Sequence, residues 1–259
     1  MLEDTGERII PKEMKPENGM LLEHLARYTF ATPYVKGRVL DIATGTGYGA
    51  QLVAKMKKKD ITEMMGVDID PTTIQYAKQH YHHPLLTFQT GDILNPDLVN
   101  EIGIFDTILS FETIEHVPDD KAFFENIMKL LRPGGILLLS TPFGQGRGKP
   151  SRSPFHYHQL TEEEFRELFL DYPNTSFYFQ RGVTIEPKRQ SRHYPLSVAV
   201  CVKAAEPGSH KSSIQSAFVQ QTEEGPVYFI IDKTSGEQIV NQKTFYKALE
   251  TIETKQMFR

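Results

Sequence analysis

The twelve residues from Val39 to Ala50 restrict the fold more than any other part of the chain. An apolar run, Arg38 to Ile42, breaks into glycines at alternate positions, Gly45, Gly47 and Gly49, and then into a helical pattern from Ala50 to Lys57. A strand, a tight turn and a helix follow from that pattern. Glycines in such a turn admit positive φ and let a ligand approach the backbone. The first free N–H groups of the helix face whatever is bound. A small-molecule site is therefore expected here.

The glycines alone leave the ligand open. From Gly45 to Ala50 the residues also fit Gly-x-Gly-x-x-Ala, so a nicotinamide or flavin dinucleotide competes, and plain turn glycines remain the simplest alternative. Asp41, at the carboxyl end of the strand, argues against a pyrophosphate, because an uncompensated carboxylate beside phosphate is repulsive in a partly dry site. A cationic ligand without phosphate gains there instead.

Further strands and helices alternate along the chain. Strands are expected at Ile61 to Val67, Leu85 to Gln89, Phe105 to Phe111 and Ile136 to Ser140. Helices are expected from Pro16 to Tyr28, after Asp70-Pro71, from Pro96 to Glu101, and after Pro118-Asp119-Asp120 with Phe123, Phe124, Ile127, Leu130 and Leu131 as its core stripe. Arg132-Pro133-Gly134-Gly135 is read as the stop of that last helix. Thr141 to Leu160, rich in Gly, Pro, Arg and His, is read as an insertion over the active face, and Thr161 to Glu164 as a capping box. Thr175 to Gln180 and Leu196 to Val202 complete the sheet as an antiparallel pair, separated by a basic loop with Arg181, Lys188, Arg189, Arg192 and His193. The fold class is α/β, a doubly wound Rossmann-like sheet of seven strands with its ligands beyond the carboxyl ends of the strands.

Four segments follow. Residues 1–35 form an arm and a covering helix, 36–204 the main domain, 205–217 a linker, and 218–259 a small hairpin-plus-helix appendage with a helix from about Thr244 to Thr254. An appendage of that size buries too little to be secure alone, so it is expected to pack on the main domain or a partner, which leaves a homo-oligomer open. With 29 basic against 33 acidic residues the formal charge is −4, which offers no general attraction to nucleic acid or an anionic membrane. The single cysteine, Cys201, sits in an apolar run and reads as an inert buried thiol. No signal peptide and no apolar run of membrane-spanning length is found, so a cytoplasmic protein is expected.

Asp41, Asp68, Asp92 and Glu112 fall at or just beyond the ends of successive strands, and strand ends on one rim converge on one crevice. Such a pocket suits a ligand with a positive charge and many hydrogen-bond donors. Five segments carry a family resemblance: Val-Leu-Asp-Ile-Ala-Thr-Gly-Thr-Gly (39–47), Gly-Val-Asp-Ile-Asp (66–70), Gly-Asp-Ile (91–93), Phe-Asp-Thr-Ile-Leu-Ser-Phe-Glu-Thr-Ile-Glu-His (105–116) and Leu-Arg-Pro-Gly-Gly (131–135). In this order they resemble the class I S-adenosylmethionine-dependent methyltransferases over roughly Lys36 to Lys203. The resemblance implies S-adenosyl-L-methionine as cofactor. Asp41 and the backbone of Ala43, Thr44, Gly45 and Gly47 would hold its methionine end, Asp68 its ribose, and Ile69, Asp92, Ile93 and Phe111 the adenine side. Ala43 stands where the usual pattern has its first glycine.

Residues 6–11, the helix Glu23 to Tyr28 and the run Pro154 to His158 resemble a bacterial subset acting on sugars or other small acceptors, with Arg8 placed to reach the cofactor carboxylate from the arm. Glu112 and His116 are the candidate catalytic pair, as i,i+4 neighbours on a helical turn. Three roles compete there. His116 acts as general base oriented by Glu112. Alternatively Glu112, Glu115 and His116, with His156 or His158, hold a divalent metal, as in some RNA-end and quinone-precursor O-methyltransferases. Or Glu-His only terminates the strand. No metal is assigned at this point.

The implied reaction is methyl transfer to O or N of a small-molecule acceptor. Arg147, Lys149, Arg152, Arg181, Lys188, Arg189 and Arg192 are read as flanking the acceptor mouth, which suggests an anionic acceptor, so a sugar or an anionic metabolite is expected. Nucleic acid is disfavoured, because no aromatic platform interleaves with these cations. An NAD(P)-dependent oxidoreductase and a noncatalytic, cofactor-binding regulatory protein remain as rivals.

Overall fold

The computed structural model describes residues 8–151, 153–190 and 193–204 in full, with the backbone of three further strands between residues 214 and 240. The first sheet has eight strands in the order β3-β2-β1-β4-β5-β8-β6-β7. β1 (Gly37–Ile42), β2 (Ile61–Asp68), β3 (Leu86–Thr90), β4 (Phe105–Phe111) and β5 (Leu131–Pro142) run parallel. β6 (Thr175–Arg181), β7 (Thr184–Glu186) and β8 (Leu196–Val202) add the antiparallel end. The expected class is therefore found, with one strand more than expected. β7 lies in the stretch read as a basic loop. Gly182, at φ +56, makes a two-residue turn that pairs Arg181 with Thr184.

The period of two decides how the sheet is covered. Leu40, Ile42, Ile108, Leu137 and Leu139 point into one fully buried cluster, while Val39, Leu109, Leu138 and Val200 point into the other. A parallel sheet needs apolar residues on both faces, because crossover helices cover both. On the first side lie α4 (Leu98–Ile102), α5 (Asp120–Leu130) and α6 (Glu162–Glu167), whose Phe123, Ile127 and Phe165 complete that cluster. On the second lie α1 (Gly19–Ala31), α2 (Tyr48–Met56) and α3 (Pro71–His80), which contribute Tyr28, Val53 and Ile74.

Helix starts follow their caps. Asp70 accepts from Thr72 N with Pro71 in the first turn of α3, and Thr161 with Glu164 forms the reciprocal capping box of α6. α1 departs from expectation: Asn18, which accepts from Leu21 N at 3.0 Å, is its cap, so the helix runs Gly19–Ala31 and Pro16 lies outside it. The Arg132–Gly135 segment lies within β5 instead of preceding it, and Lys203 N donates to Gly135 O at 2.9 Å. Cys201 is buried, as expected.

A second sheet, antiparallel in the order β11-β10-β9, contains β9 (Ile214–Thr222), β10 (Gly225–Asp232) and β11 (Gly236–Val240). β9 begins inside the stretch read as linker and makes a third strand beside the expected hairpin. The helix expected from about Thr244 lies outside the described residues. Among the described residues no helix is long and apolar enough to cross a membrane.

Candidate active site

The chain leaves β1 for β2 and β3 on one side and then returns to β4 on the other, so the carboxyl ends of β1 and β4 part at the switch of direction. Both strands end in the same unusual way. Ala43 follows β1 at φ 57 and Glu112 follows β4 at φ 52, the two non-glycine residues with positive φ among the described residues. Positive φ costs a Cβ-bearing residue about 1 kcal/mol or more and collects at functional turns. Ala43 thus adopts the conformation for which the family pattern keeps a glycine.

Beyond those ends opens a cavity of about 690 Å³. Of the glycines in the first turn, Gly45 faces it: at φ +56, a Cβ added there would meet no atom within 4 Å. Gly47 and Gly49 are small for packing reasons instead, since a Cβ would lie 2.6 Å from the Phe88 ring and 2.0 Å from the Tyr28 ring respectively. Neither Gly47, expected with Ala43, Thr44 and Gly45 at the methionine end, nor Gly49 lines the cavity.

The strand-end acids divide likewise. Asp68, Asp92 and Glu112 line the cavity, but Asp41 does not. Its carboxylate is buried behind Thr44 and Tyr28, accepting from Thr44 Oγ1 at 2.6 Å and from Tyr28 Oη at 3.1 Å. Burial pushes the Asp41 pKa up to about 7 against those hydrogen bonds, with nearby Asp68 adding to the rise. Asp41 therefore reaches the cavity only by way of Thr44, whose hydroxyl it holds and which lines it. Asp68 accepts from Gly45 N at 2.8 Å and from Asp70 N at 3.0 Å, which ties the first two turns together, and burial raises its pKa as well. Asp92 accepts from Leu94 N at 2.8 Å.

Ile69 is 66% exposed yet lines the cavity, as do Ile93 and Phe111. This half of the crevice fits S-adenosylmethionine. An open Cα position, carboxylates at two strand ends and an exposed aliphatic side chain suit its amino-acid, ribose and adenine parts. Arg8 lines the crevice too, but its Nη2 pairs with Asp70 at 3.2 Å, beside the Asp68 turn.

The other half is built from the β4 end and the insertion. Residues Ile114–His116 form a single 3-10 turn after the left-handed Glu112, so Glu112 and His116 do not stand i,i+4 on an α-helical turn as expected. Glu112 accepts from Ser140 Oγ at 2.8 Å instead. His116 Nδ1 lies 3.1 Å from the Phe155 carbonyl, an acceptor that calls for the proton on Nδ1. The insertion covers this half as expected. Tyr157 N donates to Glu115 O at 2.9 Å, and Phe155, His156, Tyr157 and Gln159 line the cavity.

Glu115, His116 and His156 bring one ligand atom each to within 4.8 Å of one another, a set suited to a first-row divalent cation. His158 is buried outside both that group and the cavity. None of the described basic residues read as flanking the acceptor mouth lines the cavity. Arg147 pairs with Asp120 at 2.6 Å, Arg189 pairs with Glu162, and neither these nor Lys149, Arg181 and Lys188 line the cavity. Arg152 and Arg192 lie outside the described residues.

Side chains of α1 that carried no expected role do line it: Glu23, His24 and Arg27. The apolar spacing of that helix marked its buried face but gave no sign that a cation shares it.

Comparison with known proteins agrees with this geometry. Residues 35–177 match a family model described as a methyltransferase domain. A relative from Mycolicibacterium smegmatis, named a probable S-adenosylmethionine-dependent methyltransferase, is 33% identical over 169 residues, 63% of this chain and 62% of its own length. A ubiquinone biosynthesis O-methyltransferase of Cereibacter sphaeroides is 31% identical over 109 residues, 42% of each chain. A S-adenosylmethionine-dependent methyltransferase from Archaeoglobus fulgidus shares the fold with a TM-score of 0.52 at 12% identity, over 72% of this chain and 95% of that one. The matched stretch thus spans less than two thirds of those two sequence relatives. The family match covers the first turn, both strand ends and the crevice lining from Ile42 to Gln159, so this chain belongs to the methyltransferase-domain family, whose cofactor is S-adenosylmethionine.

Proposed function

We propose that this protein transfers the methyl group of S-adenosylmethionine to an oxygen or nitrogen of a small-molecule acceptor. The observation that carries the reading is the two-part crevice. One cavity runs from the open Gly45 backbone and Ile69 to His116 and the insertion, so cofactor and acceptor would share one enclosed space. The bound sulfonium supplies the activation of the methyl group. The protein's part is alignment and exclusion of water. Asp68, Asp92 and Ile69 fix the nucleoside end, Thr44 and Gly45 the amino-acid end, and the 155–159 segment covers the acceptor side. His116, held at Nδ1 by the Phe155 carbonyl, takes the acceptor proton in this reading. Residues 36–204 form the catalytic unit in this reading. Titration calorimetry with S-adenosylhomocysteine, followed by a radiolabelled-methyl screen of small hydroxy and amino compounds, tests it. Failure to bind the nucleoside overturns it.

A second reading of the acceptor half is favoured by the Glu115, His116 and His156 group: a divalent cation held there would bind the acceptor hydroxyl directly and lower its pKa. Activity that survives exhaustive chelation but falls in His116→Ala supports the base. Activity lost on chelation and restored by Zn²⁺ or Mg²⁺ supports the metal.

A further inference from the structure

We infer that Arg27 is the specificity residue of the acceptor half and binds a carboxylate on the acceptor, an inference that rests on the methyltransferase reading above. Arg27 is 2% exposed and lines the cavity. Its single hydrogen bond among the described residues is from Nη1 to Gln180 Oε1, at 2.9 Å. Its Nε is buried with no partner, and it forms no ion pair with any described carboxylate. Taking a guanidinium out of water costs several kcal/mol unless a counter-charge is supplied. The acids around it do not supply one. Glu23, one turn earlier on α1, gives its backbone carbonyl to Gln180, and Glu115, which feels the Arg27 charge, accepts from Thr141 Oγ1.

The holder of this cation is itself rigid. Gln180 is 2% exposed and donates from Nε2 to Glu23 O at 3.0 Å and Gly182 O at 2.8 Å, so its Oε1 has one direction left, toward Arg27. A side chain fixed in this way holds Nη1 and leaves the Nε–Nη2 edge, the edge that meets the two oxygens of a carboxylate in parallel. The neighbouring His24 stays neutral: burial and the Arg27 charge push its pKa down to about 3, so it adds a hydrogen-bonding group without a second cation.

Location assigns the ligand to the acceptor. Gln180 belongs to β6, beyond β5 and β8 in the sheet order, whereas Asp68 and Asp92 follow β2 and β3 at the opposite end. The arginine is anchored from the half of the sheet that the cofactor's nucleoside does not use.

The test compares matched acid and amide probes, acetate with acetamide and benzoate with benzamide, by calorimetry on the full chain loaded with S-adenosylhomocysteine. The wild type is expected to bind at least one acid tenfold or more tighter than its amide. Arg27→Met is expected to abolish that preference while S-adenosylhomocysteine affinity stays within twofold. Gln180→Glu, which sets a carboxylate against Nη1 from inside the protein, is expected to do the same with the arginine intact, and it carries the test if Arg27→Met does not fold. Equal binding of acid and amide in the wild type, or a preference that survives both substitutions, overturns the inference. So does a selective loss of S-adenosylhomocysteine affinity in Arg27→Met, which would place the cofactor's own carboxylate on Arg27. A wild type that prefers acids through Arg27 but binds no S-adenosylhomocysteine supports the carboxylate site and defeats the methyltransferase reading instead.

Discussion

Asp41 combines a conspicuous sequence position with an inconspicuous place in the structure. Its raised pKa has a defined effect on stability. Between about pH 4 and pH 7 the unfolded chain has lost this proton and the folded chain still holds it, so the folded state binds more protons and stability falls as pH rises through that window. Above it the contribution is constant. Asp41→Asn should flatten this limb, by about 4 kcal/mol at most on the usual conversion of about 1.4 kcal/mol per pKa unit. Urea unfolding of both proteins at intervals from pH 4.5 to pH 8 measures it, and parallel curves would show that Asp41 is ionised in the fold. The residue was legible as a strand-end acid. Its isolation was not, because the Tyr28 hydroxyl that shields it belongs to a helix packed from outside the turn. Arg27 was illegible for a related reason: a buried cation differs from a solvated one only through Gln180, 153 positions away.

At the scale of elements, the first turn separates folding from binding. Gly45→Ala adds a methyl where nothing stands within 4 Å, so its cost is the left-handed backbone, about 1 kcal/mol, together with intrusion on the ligand. Gly47→Ala drives a methyl to 2.6 Å from the Phe88 ring, an overpacking of about 1–3 kcal/mol added to the same backbone cost. The expected outcome is that Gly45→Ala lowers S-adenosylhomocysteine affinity about tenfold with a small change in melting temperature, while Gly47→Ala lowers the melting temperature more. The reverse order would contradict the assignment of the two glycines. Elements whose ends are marked by local chemistry were readable in advance: Asp70-Pro71 opens α3 and Thr161 with Glu164 opens α6. β7 was missed because the charge of Arg181 to His193 outweighed the turn signal of Gly182. α1 began late because Asn18 capped it in preference to Pro16. The Glu112 turn broke a helical expectation, since i,i+4 spacing says nothing about a residue held at φ 52 by pairing with Ser140.

For the molecule as a whole, strand and helix alternation specified the doubly wound sheet, because apolar runs buried on both faces have few other ways to be covered. The second sheet pairs β9, β10 and β11 with one another and with no strand of the first. A chain ending at Ala204 retains both apolar clusters of the main sheet, so it is expected to bind S-adenosylhomocysteine within twofold of the full chain by calorimetry. Loss of binding would show that the segment beyond residue 204 completes the crevice. The covers of that crevice are fastened separately. Ile9 and Ile10 are buried over one side, with the Ile9 carbonyl accepting from Thr46 Oγ1 at 2.8 Å, while residues 155–157 are held to Glu115 and His116 over the other. On the proposed reading, spent nucleoside and methylated product must both leave in every cycle, so two separately fastened covers would have to open. On the proposed methyltransferase reading, departure is expected to be slower than bond-making, and rapid quenching should reveal a burst of about one equivalent of product before the steady rate.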